Sequence, residues 1–391
     1  MTEDTLKPES RIVLAPDKFK GSLSAADVVE SMALGCADLG LQDRYVPLAI
    51  ADGGDGSVDA ALRSGWSARR VATADAWGRV AATTVAVEGR RAIIEVASIC
   101  GMGGLRLTPQ HALTASSFGV GLVIAALLDD GFDDITVGLG GSATTDGGAG
   151  MLGALGVQLR DAAGASIEPT GIRLLSLADV DIAGLHPRLA SARLTIACDV
   201  DNPMIGIDGS AEVFARQKGA DDEAIGMLSA ALSHLASLVE PVVGRVGLHC
   251  SPGSGAAGGL AWALLLLGAE LCSGAELFLA MLGARERITG AGLVITGEGS
   301  LDGQSLRGKA PVGVAALAAE LGVPSVAVVG SNRLTSGRRG FPFAEVVALD
   351  RINPRCVDDP ALTGSLLRQV TADLVTRHLT SSGVEFEGVT R

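Results

Sequence analysis

Apolar positions in this chain follow two periods, and the alternation between them predicts an α/β protein. Short β-branched or aliphatic runs bounded by turn residues read as strands at 11–16, 45–50, 71–73, 81–87, 91–96, 134–137, 194–197, 293–296 and 325–329. Between them the apolar spacing turns helical. Ser24-x-x-Asp27 has the form of a capping box, and Ala25, Val28, Val29, Met32 and Cys36 follow on one face. Further helices are expected through about Leu62, over 118–129, about 222–240, 258–282 and 308–321, the last stopped by Gly322. A C-terminal helix carries Leu362, Leu366, Val370 and Leu374 in register.

The order of these elements sets the architecture. Both chain ends read strand, loop, helix, whose usual outcome is a parallel sheet. The runs at 71–73, 81–87 and 91–96 have short connections and predict an antiparallel or mixed sheet. The expected fold is two α/β domains. One has a mostly parallel Rossmann- or flavodoxin-like sheet built from residues 1–72 and 287–391. The other, 73–286, is inserted, has a mixed sheet and carries a glycine-rich phosphate loop. A cleft between them is the expected site, and its closure is expected to exclude water.

Composition narrows the partners. The chain has 391 residues, more than one core usually serves, and 48% of them are apolar. It holds 53 glycines against eight Phe, three Trp and one Tyr, so tight turns and aliphatic cores are expected. A formal charge of −13 speaks against nucleic acid and anionic membranes, which need a basic face. The uncharged stretch 251–269 is a poor spanning helix, since Pro252, Gly253, Gly255, Gly258 and Gly259 crowd its first half. Six cysteines show no C-x-x-C pair or metal spacing, and the first ten residues have no apolar targeting core. Reduced thiols and a cytoplasmic location are expected.

The chemistry concentrates in loops. Gly138-Leu-Gly-Gly-Ser-Ala-Thr-Thr-Asp-Gly-Gly-Ala-Gly150 joins a strand to a helix start, the arrangement that offers backbone N–H groups to an anion. Acidic and basic residues follow other strands: Asp17, Lys18 and Lys20; Asp52 and Asp55; Asp199 and Asp201; Glu298 and Asp302. Each cluster alone is ordinary turn composition. Four of them after strands point to one ligand site, because ligands bind beyond the carboxyl ends of parallel strands. Gly303-Gln-Ser-Leu-Arg-Gly308-Lys309 matches a P-loop up to Ala310, where Ser or Thr is required, so only Lys309 is kept as a phosphate contact at a helix N-terminus. Arg216 and Lys218 either complement a helix C-terminus or hold an anion. The turn 254–259 either packs tightly or lines a nucleotide pocket. Five histidines form no metal or nucleophile pattern, and no G-x-G-x-x-G fingerprint is complete.

Seven blocks resemble the signatures of the bacterial type I glycerate kinases, or glycerate 2-kinases. They are Asp17-Lys-Phe-Lys-Gly-Ser-Leu-Ser24, Ala51-Asp-Gly-Gly-Asp-Gly56, the turn 138–148, Cys198-Asp-Val-Asp-Asn-Pro203, Arg216-Gln-Lys-Gly-Ala220, Gly253-Ser-Gly-Ala-Ala-Gly-Gly-Leu260, and Gly297-Glu-Gly-Ser-Leu-Asp302 with Gln304 and Gly308-Lys-Ala-Pro311. They occur in the family's order and cover nearly the whole chain. Lys18 stands where Ser is usual and Ser300 where Arg is usual, which passes that cation's role to Arg307 or Lys309.

The resemblance implies ATP with Mg2+ and phosphorylation of glycerate, usually D-glycerate to 2-phosphoglycerate. The chemistry of phosphoryl transfer then gives each residue an expected role. Asp199, Lys20 and Lys309 are catalytic. Gly140, Gly141, Ser142, Thr144, Thr145, Asp146 and Gly255 bind nucleotide phosphates. Asp52, Asp55 and Lys218 bind substrate, and Glu298 and Asp302 hold the metal. A monomer or homodimer is expected. The alternatives are a kinase giving 3-phosphoglycerate or acting on another small hydroxy acid, and a non-catalytic nucleotide- or sugar-acid-binding regulator.

Overall fold

A computed structural model describes residues 11–303, 305–307, 309–334 and 342–381. The polar first ten residues, Gln304 and Gly308 lie outside them, as do the side chains of Arg307 and Ser381. In chain order the strands are β1 (Ile12–Pro16), β2 (Tyr45–Pro47), β3 (Ser67–Ala74), β4 (Val80–Glu88), β5 (Arg91–Glu95), β6 (Asp134–Gly138) and β7 (Gln158–Asp161). They continue as β8 (Leu177–Asp181), β9 (Arg193–Ala197), β10 (Glu270–Cys272), β11 (Leu293–Leu301), β12 (Ser325–Asn332) and β13 (Glu345–Ala348). The chain divides into two compact units, Met1–Asp52 with Ala275–Arg391, and Gly53–Gly274.

The first unit holds a five-stranded sheet in the order β13-β12-β11-β1-β2, parallel throughout. Helix Ala25–Ala37 starts where Ser24 and Asp27 close a capping box, each side chain taking the other's backbone N–H. It packs on the C-terminal helix Pro360–Ser381 through Gly35, where a Cβ would lie 2.3 Å from the Arg368 carbonyl oxygen. Ile12, Leu14, Ile295, Val328, Leu367 and Val375 fill the core between helices and sheet. β11 is longer than the apolar run 293–296 predicts. It continues to Leu301 because Ser300 and Leu301 stay in register with Ser331 and Asn332 of β12. Glu298 therefore projects from a paired strand and not from a loop.

The second unit has a six-stranded mixed sheet, β10-β9-β6-β5-β4-β3. β10, β9, β6 and β5 run parallel, and β4 and β3 are added antiparallel. A separate hairpin, β7 with β8, has no counterpart in the sequence reading. The unit begins at Gly53 and not at residue 73, because helix Ser57–Arg63 leads directly into β3, which zips along β4. At its far end the expected single helix 258–282 is divided. Helix Ala256–Leu266 stops near Gly268 (φ +92°), β10 pairs at the sheet edge, and helix Gly274–Met281 follows.

Two helical stretches, Pro109–Asp129 and Asp222–Val243, are long and apolar enough to cross a membrane by length and composition. The second turns Leu228, Leu232, Leu235 and Val239 into the unit's core.

Candidate active site

In the second unit the carboxyl ends of β5, β6, β9 and β10 present Glu95, Gly138, Ala197 and Cys272 side by side. The turn Gly53–Gly56 rests on them. Gly140 N donates to the Gly53 carbonyl at 3.3 Å. A Cβ at Gly138 would fall 2.5 Å from that same oxygen, and one at Gly140 2.5 Å from Gly54 Cα. Only glycine admits so close an approach of two backbones.

The glycine-rich turn is organised from within. Asp146 is fully buried and its carboxylate accepts four hydrogen bonds: Ser117 N and Oγ at 2.7 Å each, and Gly148 N and Gly150 N at 3.1 Å each. Burial pushes its pKa up against the pull of those donors. Its charge is thus spent on the shape of the turn. Lys218 is also turned inward. Its Nζ donates to Thr144 O at 2.6 Å and to Ser142 Oγ at 3.2 Å. Burial lowers its pKa to about 8. Of the pair Arg216 and Lys218, only Arg216 reaches solvent, where it pairs with Asp222. Gly140 is partly accessible and Gly141 exposed, whereas Ser142, Thr144 and Thr145 are buried. Thr145 Oγ1 has no hydrogen-bond partner.

The turn 254–259 packs against this one. Gly147 N donates to Gly258 O at 2.9 Å, and a Cβ at Gly258 would fall 1.9 Å from Thr144 O. Ala257, Gly258 and Gly259 all take positive φ to make the approach. Gly255 N donates to Asn202 O at 2.9 Å, which ties this segment to the loop after β9. In that loop Asp199 is half-buried, and its Oδ1 accepts from Ser273 Oγ and Gly274 N, both at 2.9 Å.

Glu95 is the residue that the sequence reading missed here. It is buried at the end of β5 and accepts from Gly56 N at 3.0 Å and Val58 N at 3.1 Å. Burial foremost, with the neighbouring Asp55 carboxyl adding to it, raises its pKa to about 7. The available signal was one carboxylate closing the apolar run Ala92-Ile-Ile-Glu95-Val96.

In the first unit a second constellation lies along β1 and β11. Asp17 follows β1 and is buried. Lys18 Nζ bridges its Oδ1 at 3.5 Å and Asp52 Oδ1 at 3.7 Å. Burial raises the Asp17 pKa to about 6 despite that lysine. Glu298, on β11, is buried beside Lys309, with Nζ to Oε2 3.8 Å. Its pKa rises to about 7, first through burial, with Asp17 and Asp302 adding repulsion that Ser305 and Lys309 offset in part. Glu298 Oε1 has no hydrogen-bond partner.

Asp302 Oδ1 accepts from Ser305 N at 3.2 Å, and Lys309 is the N-cap residue of helix Ala310–Glu320. Lys20 is exposed, in the turn after Phe19 that lies against Gly299 of β11. Lys20, Asp52, Glu298, Asp302 and Lys309 thus belong to this unit, whereas Asp55, the glycine-rich turn, Asp199, Lys218 and Gly255 belong to the other. Among the described residues no three His, Cys, Asp or Glu side chains gather as a metal cage.

A family model described as "Glycerate kinase family" matches residues 12–358. The chain is similar to the glycerate 2-kinase of Escherichia coli strain K12, 41% identical over 82% of this chain and 85% of that one. It is similar to the glycerate kinase of Bacillus subtilis strain 168, 39% identical over the same shares, 82% and 85%. A crystal structure assigned as glycerate kinase 2 from Salmonella typhimurium LT2 superposes with a TM-score of 0.81 at 35% identity, covering 96% of this chain and 99% of that one.

Proposed function

The chain belongs to the glycerate kinase family, and from that premise we propose that it transfers the terminal phosphoryl group of ATP, with Mg2+, to the 2-hydroxyl of D-glycerate. The 2-hydroxyl is favoured by the name of the Escherichia coli relative. The observation that carries the use of the metal is Glu298, a buried carboxylate with one oxygen without a hydrogen bond and a lysine 3.8 Å from the other. A hard oxygen donor left without a hydrogen bond fits Mg2+, which takes one or two carboxylates and keeps much of its water.

In this reading Glu298 and Asp302 hold Mg2+, directly or through water. Bound there, the ion neutralises charge on the phosphate oxygens. Lys309 and Lys20 meet the transferred phosphoryl group and the glycerate carboxylate. The turn from Gly140 to Thr145 receives the remaining phosphates through backbone N–H groups, with Asp146 and Lys218 holding it in shape. Asp199 accepts the proton of the glycerate hydroxyl as its oxygen attacks the terminal phosphorus and ADP leaves. Ser273 and Gly274 orient that carboxylate toward the alcohol. Asp52 and Asp55 contribute to substrate binding. The six free thiols suit the cytoplasm.

The test is direct. The protein is incubated with D-glycerate, ATP and Mg2+, and the product's phosphate position is assigned by NMR. Formation of 2-phosphoglycerate supports the proposal. A 3-phosphoglycerate product overturns the choice of hydroxyl, and ADP formation that glycerate does not stimulate overturns the substrate.

A further inference from the structure

Glu95 does more than its place in a strand requires. It is a buried carboxylate that directs its two oxygens to two N–H groups, Gly56 N at 3.0 Å and Val58 N at 3.1 Å, at the start of helix Ser57–Arg63. No local side chain caps that helix: Gly56 stands at the N-cap with φ +97°, and Ser57 Oγ turns back to Gly54 O at 2.7 Å. A serine or aspartate at an N-cap satisfies an N2 donor such as Val58 N without burying a charge 37 residues away in sequence. The consequence of using Glu95 is that the turn 53–56 is anchored to β5. That turn carries the exposed Asp55, one residue before the Gly56 N–H that Glu95 holds. On its other side the turn abuts Gly138 and Gly140 so closely that it cannot shift without moving the glycine-rich turn.

We propose that Glu95 is a positioning residue for the phosphoryl transfer: by holding the backbone of the turn 53–56, it sets where Asp55 stands beside the glycine-rich turn. The inference rests on the functional reading above. Glu95 itself touches neither substrate nor nucleotide and acts through Asp55. A misplacement of about 1 Å in such a group costs on the order of 100-fold in rate.

The test is a double-mutant cycle of Glu95→Gln, Asp55→Asn and the pair, with kcat, KM for glycerate and for ATP, and thermal midpoint measured for each. Glu95→Gln is expected to lower kcat by roughly 10- to 100-fold while the KM for ATP changes by less than about threefold. In the Asp55→Asn background the same change is expected to cost less than about threefold, because the group it positions is gone. If the two effects multiply, or if Glu95→Gln lowers the thermal midpoint but leaves the turnover of the folded protein intact, Glu95 is a structural cap and the inference falls. It falls equally if Asp55→Asn turns over like wild type. Should Glu95→Gln fail to fold, Glu95→Asp, which keeps the charge and shortens its reach, takes its place in the cycle with the same outcomes. A wild-type protein without glycerate-dependent ADP formation overturns the functional reading and the inference with it. An active wild type with multiplying effects overturns the inference alone.

Discussion

The Nζ of Lys218 lies 2.6 Å from the carbonyl oxygen of Thr144, so a buried ammonium supports the glycine-rich turn from inside the protein. Lys218→Met keeps the volume but leaves Thr144 O and Ser142 Oγ without this donor. Unmet buried acceptors cost about 1–3 kcal/mol each. The expected result is a loss of about that size in urea unfolding at pH 7 and a rise of roughly tenfold in the KM for ATP. Unfolding that coincides with wild type would show that Lys218 does not support the turn.

Asp199 is held by Ser273 and Gly274, which both donate to its Oδ1 and fix the direction of its carboxylate. Asp199→Asn keeps the shape and one acceptor but cannot take a proton at neutral pH. A fall in kcat on the order of 100- to 10,000-fold is expected, with thermal stability within about 1 kcal/mol of wild type. Turnover within a few-fold of wild type in a folded variant would rule out the base role.

Glu298 gives a pH dependence with a definite sign. Its pKa is raised from 4.5 to about 7 in the fold. A carboxyl whose folded pKa is raised contributes stability that is fully present below the unfolded value and lost as pH rises through the folded one. The wild type therefore loses this contribution between pH 4.5 and about 7. Glu298→Gln does not titrate. Its stability relative to wild type, measured by urea unfolding in EDTA without nucleotide, is expected to improve across that window by at most about 3 kcal/mol. A difference that is flat in pH would show that Glu298 ionises in the fold as it does in water.

Where local patterns decide structure, the sequence is readable. Ser24 and Asp27 announce a helix start and make one, and Gly322 ends a helix in the left-handed conformation its position predicts. The central strands of both sheets follow from strand spacing for the same reason, whereas the edge strands β10 and β13 do not. The misreadings come from contacts made at long range. β11 runs on to Leu301 because β12 pairs with it, which no property of residues 297–301 reveals. The unit boundary falls at Gly53 because backbone from Gly53 packs on Gly138 and Ala197, far away in sequence.

The site residues divide in the same way. A charge in a loop marks a neighbourhood but not a direction. Asp146 and Lys218 do lie in the glycine-rich region, yet their side chains point into the protein and meet its own backbone. Glu95 carries no such mark, because a single acid at a strand end is common, and its partners lie 39 and 37 residues away.

The packing of the two glycine turns sets the sharpest stability contrast in the second unit. At Gly258 an added Cβ would stand 1.9 Å from Thr144 O, with φ at +73°. Both atoms belong to backbone, so neither a rotamer change nor a side-chain shift relieves the clash. Gly226 lies in helix Asp222–Val243 with nothing within 4 Å of an added methyl and no positive φ. There alanine only removes backbone freedom from the unfolded chain. Gly226→Ala is expected to stabilise by about 0.5–1 kcal/mol, whereas Gly258→Ala is expected to cost more than about 4 kcal/mol or to prevent folding. Denaturation midpoints of the two variants check the contrast. A Gly258→Ala protein as stable as wild type would mean that the turns 144–147 and 257–259 do not pack backbone to backbone, and that the glycine-rich turn is held by Asp146 and Lys218 alone.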